Sequence, residues 1–333
     1  GKYNMGSFKD VVGHNDIINY IRNAVSMDQV THAYILNGER GAGKKLVAKL
    51  FATTLLCEEG GPDPCNRCHS CRQAEGGNHP DIIWVTHEKP NSISVDDIRE
   101  QVNNTIMIKP YQGPYKVYVI DHADIMTPQA QNALLKTIEE PPQYAVIMLL
   151  TENAEMLLPT IASRCVMLKL RYIRDVLIKK YLMETLKVPD YKADMCTAFA
   201  QGNMGRAIML ANSEHYNEIR EEAVQTLKYI HEMELNEVIQ AVNRISSYKL
   251  EISDYLDIMV VWFRDVLLYK ATRDVDVVVF KEELDSIREQ ARKSSYEGIQ
   301  LIITSFDRAK ERLKANVNFE LVIELLFLTI QEN

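Results

Sequence analysis

Short apolar runs separated by longer amphipathic stretches dominate the first half of the chain. Five of these runs are almost free of polar residues and are predicted to be strands, at residues 33–36, 82–85, 117–120, 145–150 and 166–168. A run without alternation is typical of a strand covered on both faces, which favours a parallel sheet. Because helical patterns lie between the runs, we predict a doubly wound α/β domain.

Two of the intervening helices have ends that the sequence predicts. Ser94 and Asp97 have the spacing of a capping box, which indicates a helix that begins after Ser94. A second helix is predicted to begin at Thr127, with Pro128 in its first turn, and to end before residues 141–142, which are both proline.

The strand signal fades after about residue 170, and the rest of the chain has helical periodicity only. We therefore predict three domains: an α/β domain over residues 5–170, a small helical unit over residues 171–212 and an all-helical domain over residues 213–333. In the last domain an apolar stripe extends from Leu256 to Leu267, and Asn318 is placed to cap a final apolar helix. Such stripes are most often core, although one could face a partner subunit.

A glycine-rich segment follows the first predicted strand directly and opens a helix. Gly38, Gly41, Gly43 and Lys44 fit the P-loop pattern, in which glycines let backbone N–H groups turn towards phosphates. The helix N-terminus adds partial positive charge, and Lys44 would reach the terminal phosphates. The alternative is a glycine-rich turn that holds no ligand.

The position after the P-loop lysine normally supplies a Ser or Thr hydroxyl that holds Mg²⁺. This chain has Lys45 there, and an ammonium group cannot ligate a cation and would repel it. Anion binding could survive this change, but metal-assisted phosphoryl transfer is not expected.

A second departure follows the third predicted strand. Asp121 lies where a Walker B carboxylate would sit near Mg²⁺, but the next position, usually a water-polarising Glu, is His122. Histidine can act as a base, yet its charge and geometry differ from those of a carboxylate. The alternative is an ordinary strand-end Asp beside a surface His. Together, Lys45 and His122 predict that this chain does not hydrolyse ATP or bind ATP and Mg²⁺ productively.

Four of the six cysteines cluster at Cys57, Cys65, Cys68 and Cys71. Two Cys-x-x-Cys spacings preceded by a fourth cysteine suit tetrahedral Zn²⁺, and a closed four-sulfur site would be structural. His69 is an alternative ligand, and four reduced thiols without a metal are the alternative for the whole cluster. We predict a zinc-binding insertion over residues 57–71.

Composition limits the remaining functions. The 333 residues carry a net charge of −8, which argues against strong DNA binding by this chain alone, although a local basic patch stays open. No apolar run approaches the roughly 20 residues that span a bilayer, so we expect no membrane association and a cytoplasmic protein. Gly1 to Asn4 precede Met5 and are expected to be a cloning remnant.

Several further stretches, taken with these motifs, resemble one family. The segments 8–13, 32–38 and 131–142, the Ser163-Arg164-Cys165 triplet and the late helix with Asn316 and Asn318 are similar to the gamma/delta-prime group of bacterial DNA polymerase III clamp-loader subunits, within the AAA+ ATPases. The resemblance covers nearly the whole chain. It implies an AAA+ P-loop domain with a zinc knuckle, a helical lid and an all-α collar that mediates oligomerisation.

Departures from the pattern favour one type within that group. The resemblance implies that gamma-type motors keep Ser or Thr after the P-loop lysine, Glu after the Walker B Asp, and an Arg in the sensor 2 motif. This chain has Lys45, His122 and Gly205 there, with Arg206 one position further along. The pattern therefore resembles the delta-prime type, the stator of the loader.

The resemblance also implies a role in a hetero-oligomeric ring with gamma/tau and delta subunits. That ring uses ATP to open a sliding clamp and place it on primed DNA, as part of a DNA-directed DNA polymerase assembly. Arg164 would act in trans as an arginine finger in a neighbouring motor's ATP site. Its alternative is a structural arginine paired with an acidic residue. Thr151 and Asn153 would occupy the sensor 1 position.

Rival functions stay open at this point. The first is a catalytically active ATPase of the gamma/tau type that uses unusual residues. The second is a free-standing nucleotide sensor or DNA-binding regulator, which the acidic composition disfavours. A structural ring component with an empty P-loop overlaps the preferred interpretation.

Overall fold

The computed structural model describes residues 6–333. The expected cloning remnant, and Met5 at the start of the first predicted domain, lie outside the described residues. The chain forms two compact units. One comprises the described residues up to Lys187 together with Ala200–Ala207, and the other comprises Val188–Phe199 and Ile208–Asn333. The segment 171–212 is thus divided between them.

The first unit contains a sheet of five strands, all parallel. The strands are β1 (Ala33–Asn37), β2 (Ile82–Trp84), β3 (Lys116–Ile120), β4 (Ala145–Thr151) and β5 (Val166–Lys169). Their order across the sheet is β2-β3-β4-β1-β5, and Tyr34 of β1 lies between Met148 of β4 and Val166 of β5. The predicted strands and their parallel arrangement are confirmed.

Within residues 6–187 the first unit forms seven α-helices, and side-chain caps open some of them. They are α1 (Asn15–Ser26), α2 (Lys44–Leu56), α3 (His69–Gly76), α4 (Val95–Ile98), α5 (Pro128–Glu139), α6 (Pro159–Ala162) and α7 (Asp175–Glu184). The Ser94–Asp97 capping box opens α4, which continues as a π-helical turn over Arg99–Asn103. Thr127 caps α5, and both predicted helix starts are confirmed.

Helices cover the sheet on both faces, as a doubly wound fold requires. Because successive strand residues point to opposite faces, Tyr34 and Leu36 share a core with Phe51 of α2. Ile35 belongs to the other core, together with Leu134 of α5. These two cores fix the strand ends, where the candidate site is located.

The rest of the described chain is helical. Its helices are α8 (Asp190–Ala200), α9 (Met204–Asn212), α10 (Glu214–Tyr229), α11 (Leu235–Ser246), α12 (Ile252–Thr272), α13 (Leu284–Lys293), α14 (Tyr296–Lys314) and α15 (Phe319–Glu332). Asn318 caps α15 by accepting the Leu321 N–H, as predicted. The predicted change from α/β to all-helical structure is confirmed.

The second unit buries an acidic side chain in its core. Asp265 of α12 is 1% exposed and accepts hydrogen bonds from the backbone N–H groups of Val279 and Phe280. Burial raises the pKa of this carboxyl group to about 6, because the two N–H donors only partly replace its hydration. Asp265 therefore fixes the connection between α12 and α13 at an electrostatic cost.

Every helix within residues 6–333 falls short of the length or the apolar character that a bilayer span requires.

Candidate functional site

The P-loop connects β1 to α2 at the carboxyl edge of the sheet. Gly41 and Gly43 have φ angles of +88° and +103°, in the left-handed region that side chains with a Cβ rarely adopt. Lys44 begins α2 directly after Gly43. The loop thus has the strand-to-helix setting that phosphate binding requires.

The P-loop lysine turns back onto its own loop. Lys44 Nζ donates to the backbone carbonyls of Gly38 at 2.5 Å and Glu39 at 3.0 Å. Burial lowers its pKa, while nearby carboxylates act in the opposite direction. His14 adds a bond from outside the loop, since its Nε2 donates to the Ala42 carbonyl at 3.0 Å. The loop is therefore held by groups of its own chain.

Lys45 occupies the position where a metal-binding hydroxyl would be needed. Its Nζ lies 2.9 Å from Oδ2 of Asp121, at the carboxyl end of β3. Lys45 is 68% exposed and Asp121 only 19%, so the carboxylate has lost much of its water and gains a cation in exchange. Sequence reasoning predicted repulsion of Mg²⁺ but not this ion pair.

His122 and the strand-end residues of β4 complete this edge of the sheet. His122 has a left-handed φ of +51°, and its Nε2 lies 3.7 Å from Asp121 Oδ2 with the ring more than half exposed. Thr151 donates through Oγ1 to Asp124 at 3.0 Å, and Asn153 accepts the Glu155 N–H. Thr151 thus contacts a carboxylate that follows β3, whereas the Asn153 side chain caps the turn of its own segment.

A segment far along the chain covers the P-loop. Asn203 is 3% exposed, and its Nδ2 donates to Glu39 Oε1 at 2.5 Å and to the Arg40 carbonyl at 2.7 Å. The Gly205 N–H donates to the Gly41 carbonyl at 3.0 Å. A Cβ on Gly205 would lie 2.6 Å from Gly41 Cα, so no larger residue fits there without movement.

This cover leaves a small cavity of about 300 Å³ beside the loop, which is at the lower end of ligand-pocket sizes. Sequence reasoning missed Asn203 as a site residue. The available signal was the glycine pair at positions 202 and 205 around it.

Arg164 lies near the amino ends of the strands, opposite the carboxyl ends where the P-loop is located. It follows α6 and precedes β5 by two residues, whereas the P-loop follows the carboxyl end of β1. Because β1 and β5 are parallel neighbours, Arg164 and Gly38 are separated along the strands by roughly 20 Å, about six residues at 3.3 Å each. That separation exceeds the reach of an arginine side chain, so Arg164 does not serve the P-loop of its own chain.

The Arg164 guanidinium makes two contacts. Nη1 donates to the Thr160 carbonyl at 2.9 Å, and Nη2 lies 3.0 Å from Glu139 Oε1. Both side chains of the ion pair are more than 40% exposed. The pairing with an acidic residue is the alternative that the sequence left open, and the exposure leaves the same guanidinium accessible to another molecule.

The four predicted cysteine ligands converge at the end of α2 and the start of α3. Their Sγ atoms all lie within 4.8 Å of one another, and those of Cys65 and Cys71 are 4.0 Å apart. Sulfurs that surround one tetrahedral Zn²⁺ at 2.3 Å would be about 3.8 Å apart, so modest closure would complete a site. The backbone N–H groups of Cys68 and Cys71 donate to the Cys65 and Cys68 sulfurs, respectively.

Ion pairs fix the loop that carries these cysteines. Arg67 pairs with Glu59 through two bonds, and Arg22 of α1 pairs with Asp63 at 2.9 Å. His69 is not among the converging ligand atoms within the described part of the chain. The cluster could hold one metal ion with four thiolates, as the spacing predicted.

Comparisons with known proteins now give the family. Two family models match: one described as DNA polymerase III, delta subunit, over residues 13–174, and one described as its C-terminal part over residues 214–332. The DNA polymerase III subunit delta' of Bacillus subtilis (strain 168) is 30% identical over 322 residues, covering 95% of this chain and 95% of that protein. The chain belongs to the DNA polymerase III delta-prime family. The resemblance to the delta-prime type that the sequence indicated is thereby confirmed.

Other relatives carry the names of further DNA polymerase III subunits. DNA polymerase III subunit tau of the same Bacillus is 29% identical over 330 residues, which cover 92% of this chain but 58% of tau. A solved structure of a gamma subunit-related protein from Thermotoga maritima covers 96% of this chain and 98% of its own, at 19% identity and a TM-score of 0.49.

Proposed function

We propose that this chain is the delta-prime stator of a DNA polymerase III clamp loader, which supports ATP-dependent loading of a sliding clamp onto primed DNA without hydrolysing ATP itself. The observation that carries the proposal is the Lys45–Asp121 ion pair. It places a side-chain cation between the P-loop and the strand-end carboxylate, where hydrolysis would need Mg²⁺. His122 supplies no carboxylate to polarise water.

The covered P-loop supports the same conclusion. Asn203 and the Gly205 N–H bind P-loop groups, and Gly205 replaces the arginine expected of a motor. A nucleotide would have to compete with these bonds as well as with the Lys44 contacts. We therefore propose that the chain binds ATP and Mg²⁺ weakly or not at all.

The position of Arg164 supports action in trans. It cannot reach its own P-loop, its guanidinium is partly exposed, and it belongs to the Ser163-Arg164-Cys165 triplet. In a ring, such a residue is available to the ATP site of a neighbouring motor subunit, where a guanidinium stabilises charge on the transferring phosphate.

We further propose a structural Zn²⁺ on Cys57, Cys65, Cys68 and Cys71. Four thiolates form a donor set that suits zinc, and no open coordination position would remain for catalysis. The ion would tie the loop between α2 and α3 to both helices.

The partners proposed are gamma/tau and delta subunits, since relatives bearing the names delta', tau and gamma align along most of this chain. Oligomerisation is assigned to the helices of residues 213–333. Apolar side chains exposed on α14 and α15 support an intersubunit role there, namely Leu301, Leu321, Leu325 and Leu328.

The test uses the complex assembled from this chain with gamma/tau and delta subunits. Replacing Arg164 by Ala should lower the ATPase rate of the complex while subunit association, measured by gel filtration, is unchanged. An unchanged rate would remove the finger assignment. The isolated chain should not release phosphate from ATP and Mg²⁺; brisk release would instead favour the gamma/tau-type ATPase.

A further inference from the structure

The contacts of Arg164 leave part of its guanidinium free. An arginine side chain has five N–H donors, of which Nη1 uses one on the Thr160 carbonyl and Nη2 uses one on Glu139. No other partner of the Arg164 guanidinium is present within residues 6–333. The remaining N–H groups are therefore available for a phosphate from outside the chain, while the two contacts fix the plane of the group.

Both anchors belong to rigid parts of the first unit. Glu139 is the last residue of α5, and Thr160 lies in α6. Ile138 and Ile161, next to these anchors, are buried in the same apolar core. The core thus sets the distance between the Glu139 carboxylate and the Arg164 backbone before any partner binds.

Stability does not explain the Glu139–Arg164 pair. Both side chains are more than 40% exposed, and ion pairs of this kind contribute little to folding because water screens them. The pair affects the orientation of Arg164 more than it affects folding. A long side chain that is already held in one rotamer loses less conformational entropy when it contacts a phosphate.

From these contacts we infer that Glu139 is a positioning residue, which holds Arg164 in the orientation needed to contact a phosphate in a neighbouring subunit's nucleotide site. This inference rests on the proposed trans role of Arg164. Glu139 itself touches no substrate. Its carboxylate acts through the guanidinium, together with the Thr160 carbonyl.

Glu140 provides a matched control. It is the next residue, it is also exposed, and it carries the same charge, but the described structure gives it no ion pair with Arg164. Glu139→Gln and Glu140→Gln therefore change the net charge equally, and only the first alters the contact with the finger.

The experiment measures steady-state ATPase of the assembled complex with each variant. Glu139→Gln should lower kcat roughly three- to tenfold with the KM for ATP unchanged, because the finger keeps its charge but loses its fixed orientation. Glu140→Gln should match the parent complex. Glu139→Asp, which keeps the charge on a shorter side chain, should recover part of the lost rate.

A double variant separates this inference from the function on which it rests. In an Arg164→Ala background, Glu139→Gln should have no further effect on kcat. Equal rates for the Glu139 and Glu140 variants, or the same fold loss from Glu139→Gln with and without Arg164, would overturn the positioning role while leaving the finger in place. An Arg164→Ala complex with full activity would overturn both.

Discussion

Asp265 is expected to make the helical unit less stable at neutral pH than at pH 4. The carboxyl group has a pKa of about 6 in the folded chain, against an ordinary value of 3.8, because burial outweighs the hydrogen bonds from Val279 and Phe280. A difference of about 2 pKa units corresponds to roughly 3 kcal/mol at 1.36 kcal/mol per unit. Desolvation raises the pKa of Asp265 and the two backbone hydrogen bonds lower it, and desolvation is predicted to dominate.

The sign follows from proton binding. Between about pH 4 and pH 6 the unfolded chain releases a proton that the folded chain retains, so the free energy of unfolding falls as pH rises. The contribution is fully present below pH 3.8, is lost as pH rises to about 6, and stays constant above that value. Asp265→Asn should remove this dependence, since an amide does not titrate.

The predicted quantity is the difference in unfolding free energy between the parent chain and Asp265→Asn. It should fall by about 3 kcal/mol from pH 4 to pH 7. The amide oxygen can take the place of Oδ2, which accepts from both N–H groups, and Asp265 is itself neutral in the folded chain at pH 4. At pH 4 the variant should therefore match the parent to within about 1 kcal/mol. At pH 7 the variant should be the more stable of the two.

Urea denaturation checks this in a Trp84→Phe background, where the fluorescence of Trp262 in α12 reports on the helical unit. Asp276→Asn, at an exposed carboxylate in the same connection, serves as the control and should leave the pH dependence unchanged. A difference that is constant or rises with pH would refute the reasoning. It would mean that the two backbone donors hold the pKa of Asp265 at or below its ordinary value.

Two further results are expected from the first unit. Cys68→Ser should lower bound zinc, measured by elemental analysis, from about one ion per chain towards none, and Cys165→Ser should leave it unchanged; equal zinc in both variants would contradict the site. Asn203→Ala should lower the free energy of unfolding by about 2–3 kcal/mol, since it removes two donated bonds and one accepted from Arg206. Replacement of the exposed Asn212 should have almost no effect, and similar losses at both positions would count against the cover on the P-loop.

Local patterns predicted much of the fold. The strands at residues 117–120 and 145–150 are buried along their length in the structure, so their apolar runs carried a strong signal. Helix starts at Ser94 and Thr127 depend on neighbours only three residues away, which makes them visible in sequence. The cysteine cluster was equally easy to predict, because metal ligation requires particular residues at short spacings.

Contacts between distant positions were not predictable in the same way. Asn203 bonds to Arg40 across 163 residues, and Glu139 pairs with Arg164 across 25, so neither pair has a spacing that marks it. The order of the strands also depends on tertiary packing. The Lys45–Asp121 pair is intermediate. Both residues were singled out from the sequence, but their attraction depends on the strand order, which brings the start of α2 near the end of β3 with β4 between β3 and β1.

The cover on the P-loop means that the proposed lack of ATPase activity would be difficult to reverse by single substitutions. Changing Lys45 to Thr would restore a hydroxyl but would leave the Asp121 carboxylate without its cation. Changing Gly205 to Arg would bring a side chain against the Gly41 backbone before it could meet any phosphate. Restoring a metal-binding P-loop would therefore require several coordinated replacements, so single substitutions are expected to leave the proposed lack of ATPase activity unchanged.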